Sequence, residues 1–267
     1  MILTTKCNAH CFFCHNEGID KKNVELDLNH FEKEVQPCFF SQFSDLAITG
    51  GEPLFHSKFD KFLDIVNKYE INKFHINTNG ILLQKKFDIL IKKVKELHVS
   101  ILSSDDKVMS GILGIIYNID EIKKTLIDLK NNGIRIIINR LIIDGLNDSI
   151  KELNNFIEEF SSFGFEIRFF TDYYNTFYQN KRVSKDLISK LEHYNYSNRK
   201  ISNREVELFK GDISLLLISP CTPEKLKPPD YATAAYFFTP DFYLKRMTSR
   251  KKIPWKSCYN YKLPALP

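Results

Sequence analysis

The chain has 267 residues, 43% hydrophobic and 13% aromatic, with a formal charge of +5. That is material for one large domain, or for one domain with an appendage, around a sizeable core. The modest charge allows an acidic or phosphorylated substrate and makes no case for a nucleic-acid binder. Its longest apolar stretches, such as residues 134–143, are broken by Arg135, Asn139 and Arg140, well short of the roughly 18 apolar residues of a membrane helix. Lys6, Cys7 and Asn8 stand where a signal peptide would have its apolar core. The expected compartment is the cytoplasm, where the six cysteines are thiols or metal ligands rather than disulfides.

In chain order, β-rich runs fall at Ile2–Thr5, Asp45–Thr49, Lys73–Asn77, Glu96–Leu102, Ile134–Ile142 and Phe165–Phe170. Amphipathic stretches of helical spacing fall between them, at Phe31–Phe40, Phe59–Tyr69, Phe87–Val94, Ile119–Lys130 and Ile150–Phe160. Asn118 is placed to cap the fourth of these and Gly133 to end it in a left-handed turn. Strands alternating with helices predict parallel, right-handed βαβ units. Six units in about 170 residues are too few for a closed eightfold barrel, which takes about 250. The predicted fold is α/β, a partial (β/α)6 parallel barrel over residues 1–172.

After Thr171 the rhythm stops. The expectation for 173–267 is a small C-terminal α/β hairpin extension covering the barrel mouth. It starts with an aromatic segment (Tyr173, Tyr174, Phe177, Tyr178) and a short helix near Ser184–Tyr194. A hairpin between Ile213–Ser219 and Tyr236–Lys245 follows, joined by a segment in which Pro228–Pro229 bars regular helix.

Chemistry concentrates first at Cys7-x-x-x-Cys11-x-x-Cys14, directly after the first strand. Three thiolates on a short loop reach three corners of a cubane iron–sulfur cluster and leave one iron open. S-adenosylmethionine (SAM) can chelate that iron through its amino and carboxylate groups, so that an electron can enter the sulfonium. A three-thiolate zinc site completed by His15 is the alternative, although zinc ligands usually come as Cys-x-x-Cys with a second pair.

The second constellation is Thr49-Gly50-Gly51-Glu52-Pro53, at the end of the second strand. Two glycines let backbone approach a ligand, and Glu52 offers an anionic partner for an ammonium. An ordinary Gly-Gly turn is the bland alternative. The two signals together, in this order, are far more specific than either alone.

Cys-x-x-x-Cys-x-x-Cys followed by Gly-Gly-Glu-Pro resembles the signature of the radical SAM superfamily. Within it, the sequence is similar to the GTP cyclase branch of molybdenum-cofactor biosynthesis over roughly residues 1–172. The likeness runs through Cys14-His15-Asn16-Glu17-Gly18, Asn77-Thr78-Asn79-Gly80, Val99-Ser100, Ile138-Asn139, Gly145-Leu146-Asn147-Asp148 and Glu166-Ile167-Arg168-Phe169. The resemblance implies one 4Fe–4S cluster on Cys7, Cys11 and Cys14, and SAM against Gly50, Gly51, Glu52 and Pro53. It also implies that Thr78, Ser100 and Asn139 line the ribose and carboxylate of SAM, and that Arg168 faces SAM or an anionic substrate. Each of these polar residues has a structural alternative as a turn cap, a small interior residue or an ion-pair partner. An external electron donor such as flavodoxin or ferredoxin is implied as well.

The departures from that branch bear on substrate. Its lysine two residues before the strand-five asparagine is Ile137 here, and its second cluster needs three C-terminal cysteines where this chain has Cys221 and Cys258. The expected activity is therefore hydrogen abstraction from a small molecule or peptide in a specialised biosynthetic pathway. A purine nucleotide cyclase is the second reading, and an iron–sulfur or zinc-binding module the third. Cys221 and Cys258 are either packing or hydrogen donors that quench a substrate radical. Cys38, beside Phe39 and Phe40, reads as a buried hydrophobe.

Overall fold

The computed structural model describes residues 1–14, 23–35, 39–40, 45–143, 145–171, 188–189, 191–192, 194–201, 205–218, 236–238, 243–246 and 252–254. The chain divides into two compact units. One comprises Met1–Thr78, Leu82–Leu97 and Leu226–Pro267; the other comprises Asn79–Ile81 and His98–Lys225.

In the first unit β1 (Ile2–Thr4), β2 (Asp45–Gly50) and β3 (Lys73–Thr78) pair in parallel, in that order. Their spacing leaves room for the right-handed crossovers that parallel strands need. A one-turn helix, α1 (Leu28–His30), runs into a wider turn over Phe31–Val35. The next two helices are α2 (Phe59–Val66) and α3 (Phe87–Lys93). Phe59, Phe62, Leu63 and Val66 repeat at helical spacing and are all buried, each such side chain contributing about 1.5–3 kcal/mol.

The second unit takes up the chain within β4 (Glu96–Ser100) and continues through β5 (Arg135–Ile142) and β6 (Glu166–Thr171). β7 (Ser197–Lys200), β8 (Glu205–Lys210) and β9 (Ile213–Ile218) complete its strands, in the order β4-β5-β6-β9-β8-β7. β5, β6 and β9 run parallel, whereas β8 is antiparallel to both β7 and β9. Its helices are α4 (Asp106–Leu113), α5 (Ile119–Asn131) and α6 (Ile150–Ser162). The Asn118 side chain accepts from Glu121 N at 3.1 Å, and Gly133 has φ of 88°, so both ends of α5 stop as the sequence predicts.

The expected α/β architecture of parallel βα units is therefore the observed one. The expected pairing of Ile213–Ser219 with Tyr236–Lys245 is not. Both edges of β9 are occupied, by β6 and β8, and β10 (Tyr236–Phe238) pairs instead with β11 (Tyr243–Arg246), which pairs with β12 (Lys252–Pro254). Cys38, His15, the aromatic segment from Tyr173 to Tyr178, Cys221 and Cys258 lie outside the described residues.

One polar network braces the second unit. Arg140 is 0% exposed; its Nη2 donates to Asn147 O at 2.6 Å and to Glu152 Oε1 at 2.8 Å, and its guanidinium lies 4.2 Å from the Phe156 ring centroid. The Asn147 side chain donates to Leu102 O and Leu141 O, both at 2.8 Å, and accepts from Ile143 N at 2.7 Å. Burial holds the Arg140 guanidinium down at about 10, opposed by the Glu152 carboxylate. The segment Gly145–Asp148 thus fastens the ends of β4 and β5 together.

Candidate active site: a cysteine loop against a Gly-Gly-Glu-Pro turn

β1 lies flush against the end of β2 and passes directly into the cysteine loop. Gly51 N donates to Thr4 O and Glu52 N to Lys6 O, each at 2.8 Å. A Cβ on Gly51 would sit 2.1 Å from Lys6 O, and one on Gly50 would sit 2.3 Å from Thr4 O. No side chain fits there, so the two glycines are demanded by the chain's own backbone. This close approach brings the residue before Cys7 against the residue after Gly51.

Glu52 follows at the head of a short 3-10 turn, Pro53–Phe55. Pro53 has no N–H to leave unpaired at this position. The Glu52 carboxylate is 1% exposed, and its Oε1 accepts from Leu54 N at 3.1 Å and from Thr78 Oγ1 at 2.8 Å. Thr78, the last residue of β3, is itself buried. Asn77 donates its side-chain amide to Ile48 O at 3.2 Å, stitching β3 to β2 just below.

In the loop, Cys14 N donates to Cys11 O at 3.1 Å, and Ala9 N points at Cys7 Sγ at 3.4 Å. Cys7 and Cys11 are half-buried and Cys14 is exposed. Burial raises the Cys7 thiol, with repulsion from Glu52 and Cys14 adding to it. Burial, then repulsion from Cys14 and Cys7, pushes the Cys11 thiol up to about 12. Three sulfurs that repel one another as thiolates, gathered on one short loop, fit a cationic iron cluster that accepts all three. The donor set thus suits such a group.

The second unit holds the remaining predicted polar residues. Asn139 of β5 stands opposite Arg168 of β6, and Ile101 N, next to Ser100, donates to Asn139 O at 3.1 Å. Ser100, Asn139 and Arg168 thus occupy neighbouring strands at one level. Asn139 Oδ1 is buried and has no hydrogen-bond partner among the described residues, a cost that a bound donor would remove. Asn79 shapes the turn after β3, its Oδ1 accepting from Ile81 N at 3.1 Å.

Sequence reasoning overlooks two things here. Thr78 engages Glu52 directly, a link between residues 26 apart in the chain. The stretch Val24–Leu26 closes the other edge of β1, with Leu26 N donating to Leu3 O at 2.9 Å. Its alternation of apolar and polar residues is the available signal, and it is too short to stand out.

Residues 1–157 match the family model described as the radical SAM superfamily. Over 173 residues the chain is 27% identical to GTP 3′,8-cyclase of Aquifex aeolicus, covering 62% of this chain and 53% of that protein. Over 246 residues it is 26% identical to a probable GTP 3′,8-cyclase of Pyrobaculum aerophilum, covering 84% and 79% respectively. The match thus spans about half the length of the Aquifex relative. Among solved structures, Streptococcus suis SuiB superposes with a TM-score of 0.66 at 14% identity, over 91% of this chain and 58% of that one. A radical SAM methyltransferase from Sphaerobacter thermophilus gives 0.57 at 14%, over 72% and 62%. At these identities the structural likeness speaks for the fold alone. With more than half of its length under the family model, the chain belongs to the radical SAM superfamily, and is an enzyme of that type.

Proposed function

We propose that this chain carries one 4Fe–4S cluster on Cys7, Cys11 and Cys14, cleaves SAM reductively and abstracts hydrogen from a small-molecule or peptide substrate. The observation that carries this reading is the hydrogen bond from Glu52 N to Lys6 O, which seats the Gly-Gly-Glu-Pro turn against the cysteine loop. Held by Cys7, Cys11 and Cys14, the cluster would supply the single electron needed for reductive cleavage of the S–C5′ bond of bound SAM. Everything else is asked of the protein.

In this reading the turn Gly50-Gly51-Glu52-Pro53 receives the amino-acid end of SAM. The Glu52 carboxylate is the partner of its ammonium, and Thr78 and Leu54 N fix the direction in which that carboxylate points. Ser100 and the orphaned Asn139 Oδ1 meet SAM hydroxyl donors, and Arg168 faces an anionic part of SAM or substrate. Cys221 and Cys258 have two readings, packing and hydrogen donor; a donor would pass its S–H hydrogen atom to the substrate radical and leave a thiyl radical, which one electron from the external donor and a proton would restore to the thiol. Product analysis in deuterated water, with each cysteine changed to alanine, tests that role. An electron donor such as flavodoxin or ferredoxin would be the source of that electron. The working compartment is the cytoplasm, where thiols stay reduced; among the described residues no helix is long and apolar enough to cross a membrane.

A purine nucleotide cyclase is the second reading, favoured by the GTP 3′,8-cyclases among its relatives. Against it stands the sequence after residue 172, which has two cysteines, Cys221 and Cys258, where a second three-cysteine cluster would need three. Incubating the reconstituted, reduced protein with SAM and GTP separates the two: a rearranged nucleotide supports the cyclase, and 5′-deoxyadenosine with unchanged GTP supports the first reading.

A further inference from the structure

The three cysteines lie on the stretch of chain between Lys6 and Val24, and both ends of that stretch are tied to the same place. Thr5 N donates to Val24 O, and Val24 N to Thr5 Oγ1, each at 2.8 Å. Thr4 pairs with Glu25 as an antiparallel bridge. The next step outward is ionic: Lys6 Nζ reaches Glu25 Oε1 at 3.1 Å, across 19 residues of sequence.

Glu25 does more than pair with Lys6. Its Oε1 also accepts from Ser57 N at 3.1 Å and its Oε2 from Ser57 Oγ at 2.5 Å. Ser57 follows the turn headed by Glu52, and its neighbour His56 is pinned by a bond between Nε2 and Leu26 O at 3.1 Å. One carboxylate therefore joins the start of the cysteine loop, its return strand and the segment leaving the Gly-Gly-Glu-Pro turn. Surface ion pairs of two long side chains contribute little. This one differs in three respects: the Glu25 side chain is 19% exposed, it takes two further hydrogen bonds from the backbone and hydroxyl of Ser57, and it closes a long stretch of chain.

We propose that Glu25 is a positioning residue that clasps the cysteine loop to the Gly-Gly-Glu-Pro turn and so holds the sulfurs in register with the SAM-binding side chains. The proposal rests on the cluster and SAM reading above. Glu25 touches neither group; it acts through Lys6 and Ser57.

The test uses the full-length chain, reconstituted anaerobically, with Glu25→Ala, Glu25→Gln and a control, Glu32→Ala. Glu32 pairs with Lys61 and Lys68 on the same unit, so its loss removes comparable charge without touching the loop. Glu25→Ala should take up as much iron as wild type, surrender it to a ferrous chelator about tenfold faster and bind SAM about tenfold more weakly, the effect of a lost charged hydrogen bond. Glu25→Gln keeps an acceptor for Lys6 and Ser57 and should fall between the two, and Glu32→Ala should match wild type. In the metal-free chain, trypsin should cut after Lys6, the partner of Glu25, about tenfold faster in Glu25→Ala than in wild type. Equal iron loss, SAM affinity and cutting in Glu25→Ala and wild type, or equal effects in Glu32→Ala, would overturn the proposal. Should wild type bind neither iron nor SAM, the functional reading fails, while the tryptic rate still decides the clasp. If Glu25→Ala does not fold, wild-type rates throughout in Glu25→Gln overturn the proposal.

Discussion

Thr78 Oγ1 donates to Glu52 Oε1 at 2.8 Å, so the last residue of β3 sets the direction of a carboxylate at the end of β2. Both groups are buried, which makes the bond costly to lose. Thr78→Val, which keeps the shape and deletes the donor, should weaken SAM binding by about 1 kcal/mol. Glu52→Ala should cost about 1.5–3 kcal/mol, as for a hydrogen bond to a charged group. Neither change should alter iron content. Titration calorimetry with SAM, beside an iron assay, checks both; unchanged affinity in Glu52→Ala would reduce the turn to a structural element.

Gly51→Ala should act differently. Its new Cβ would overlap Lys6 O at 2.1 Å, and that backbone cannot yield without moving the cysteine loop. We expect destabilisation of about 1–3 kcal/mol from the forced shift, with reduced iron uptake, in contrast to the full uptake of Glu52→Ala. Iron per chain after reconstitution measures it.

His56 predicts a pH dependence. Burial holds its imidazole below the usual 6.5, with Lys6 and Lys58 pressing the same way and the bond to Leu26 O and Glu25 opposing. Because the folded value is depressed, the unfolded chain binds the proton more readily below about 6.5, and the stabilisation present above that pH is lost as pH falls through the folded value. Urea midpoints should therefore drop on acidification below pH 6.5, and less steeply in His56→Gln. Parallel slopes in the two proteins would contradict this assignment.

Asn147→Ala should be among the more damaging changes away from the site. It strands Leu102 O, Leu141 O and Ile143 N, all bonded by one buried side chain. The expected loss is about 2–4 kcal/mol, read as a fall of several degrees in the thermal midpoint.

Much of this was legible in the sequence because it is local. Strand and helix rhythm, the Asn118 cap and the two motifs each depend on neighbours a few residues apart. The glycines of the second motif read as room for a ligand, whereas the structure has them making room for β1; one-dimensional spacing cannot separate a backbone neighbour from a bound molecule. α4 escapes notice because Ser110 and Gly111 interrupt its pattern, yet Met109, Ile112 and Leu113 are buried. β7 is Ser-Asn-Arg-Lys, exposed throughout, and it exists through its ladder with β8 rather than through any apolar alternation. Contacts across long sequence separations, Thr78 with Glu52 and Glu25 with Ser57, left no trace that spacing could reveal.

The most direct test of the account is production of 5′-deoxyadenosine from SAM by the anaerobically reconstituted, reduced protein, with iron counted in the same sample. The account predicts about four irons per chain and steady 5′-deoxyadenosine formation, both lost when Cys7, Cys11 and Cys14 are changed to alanine. Equal formation by the triple variant, or none by a wild-type protein carrying its full iron, would contradict it.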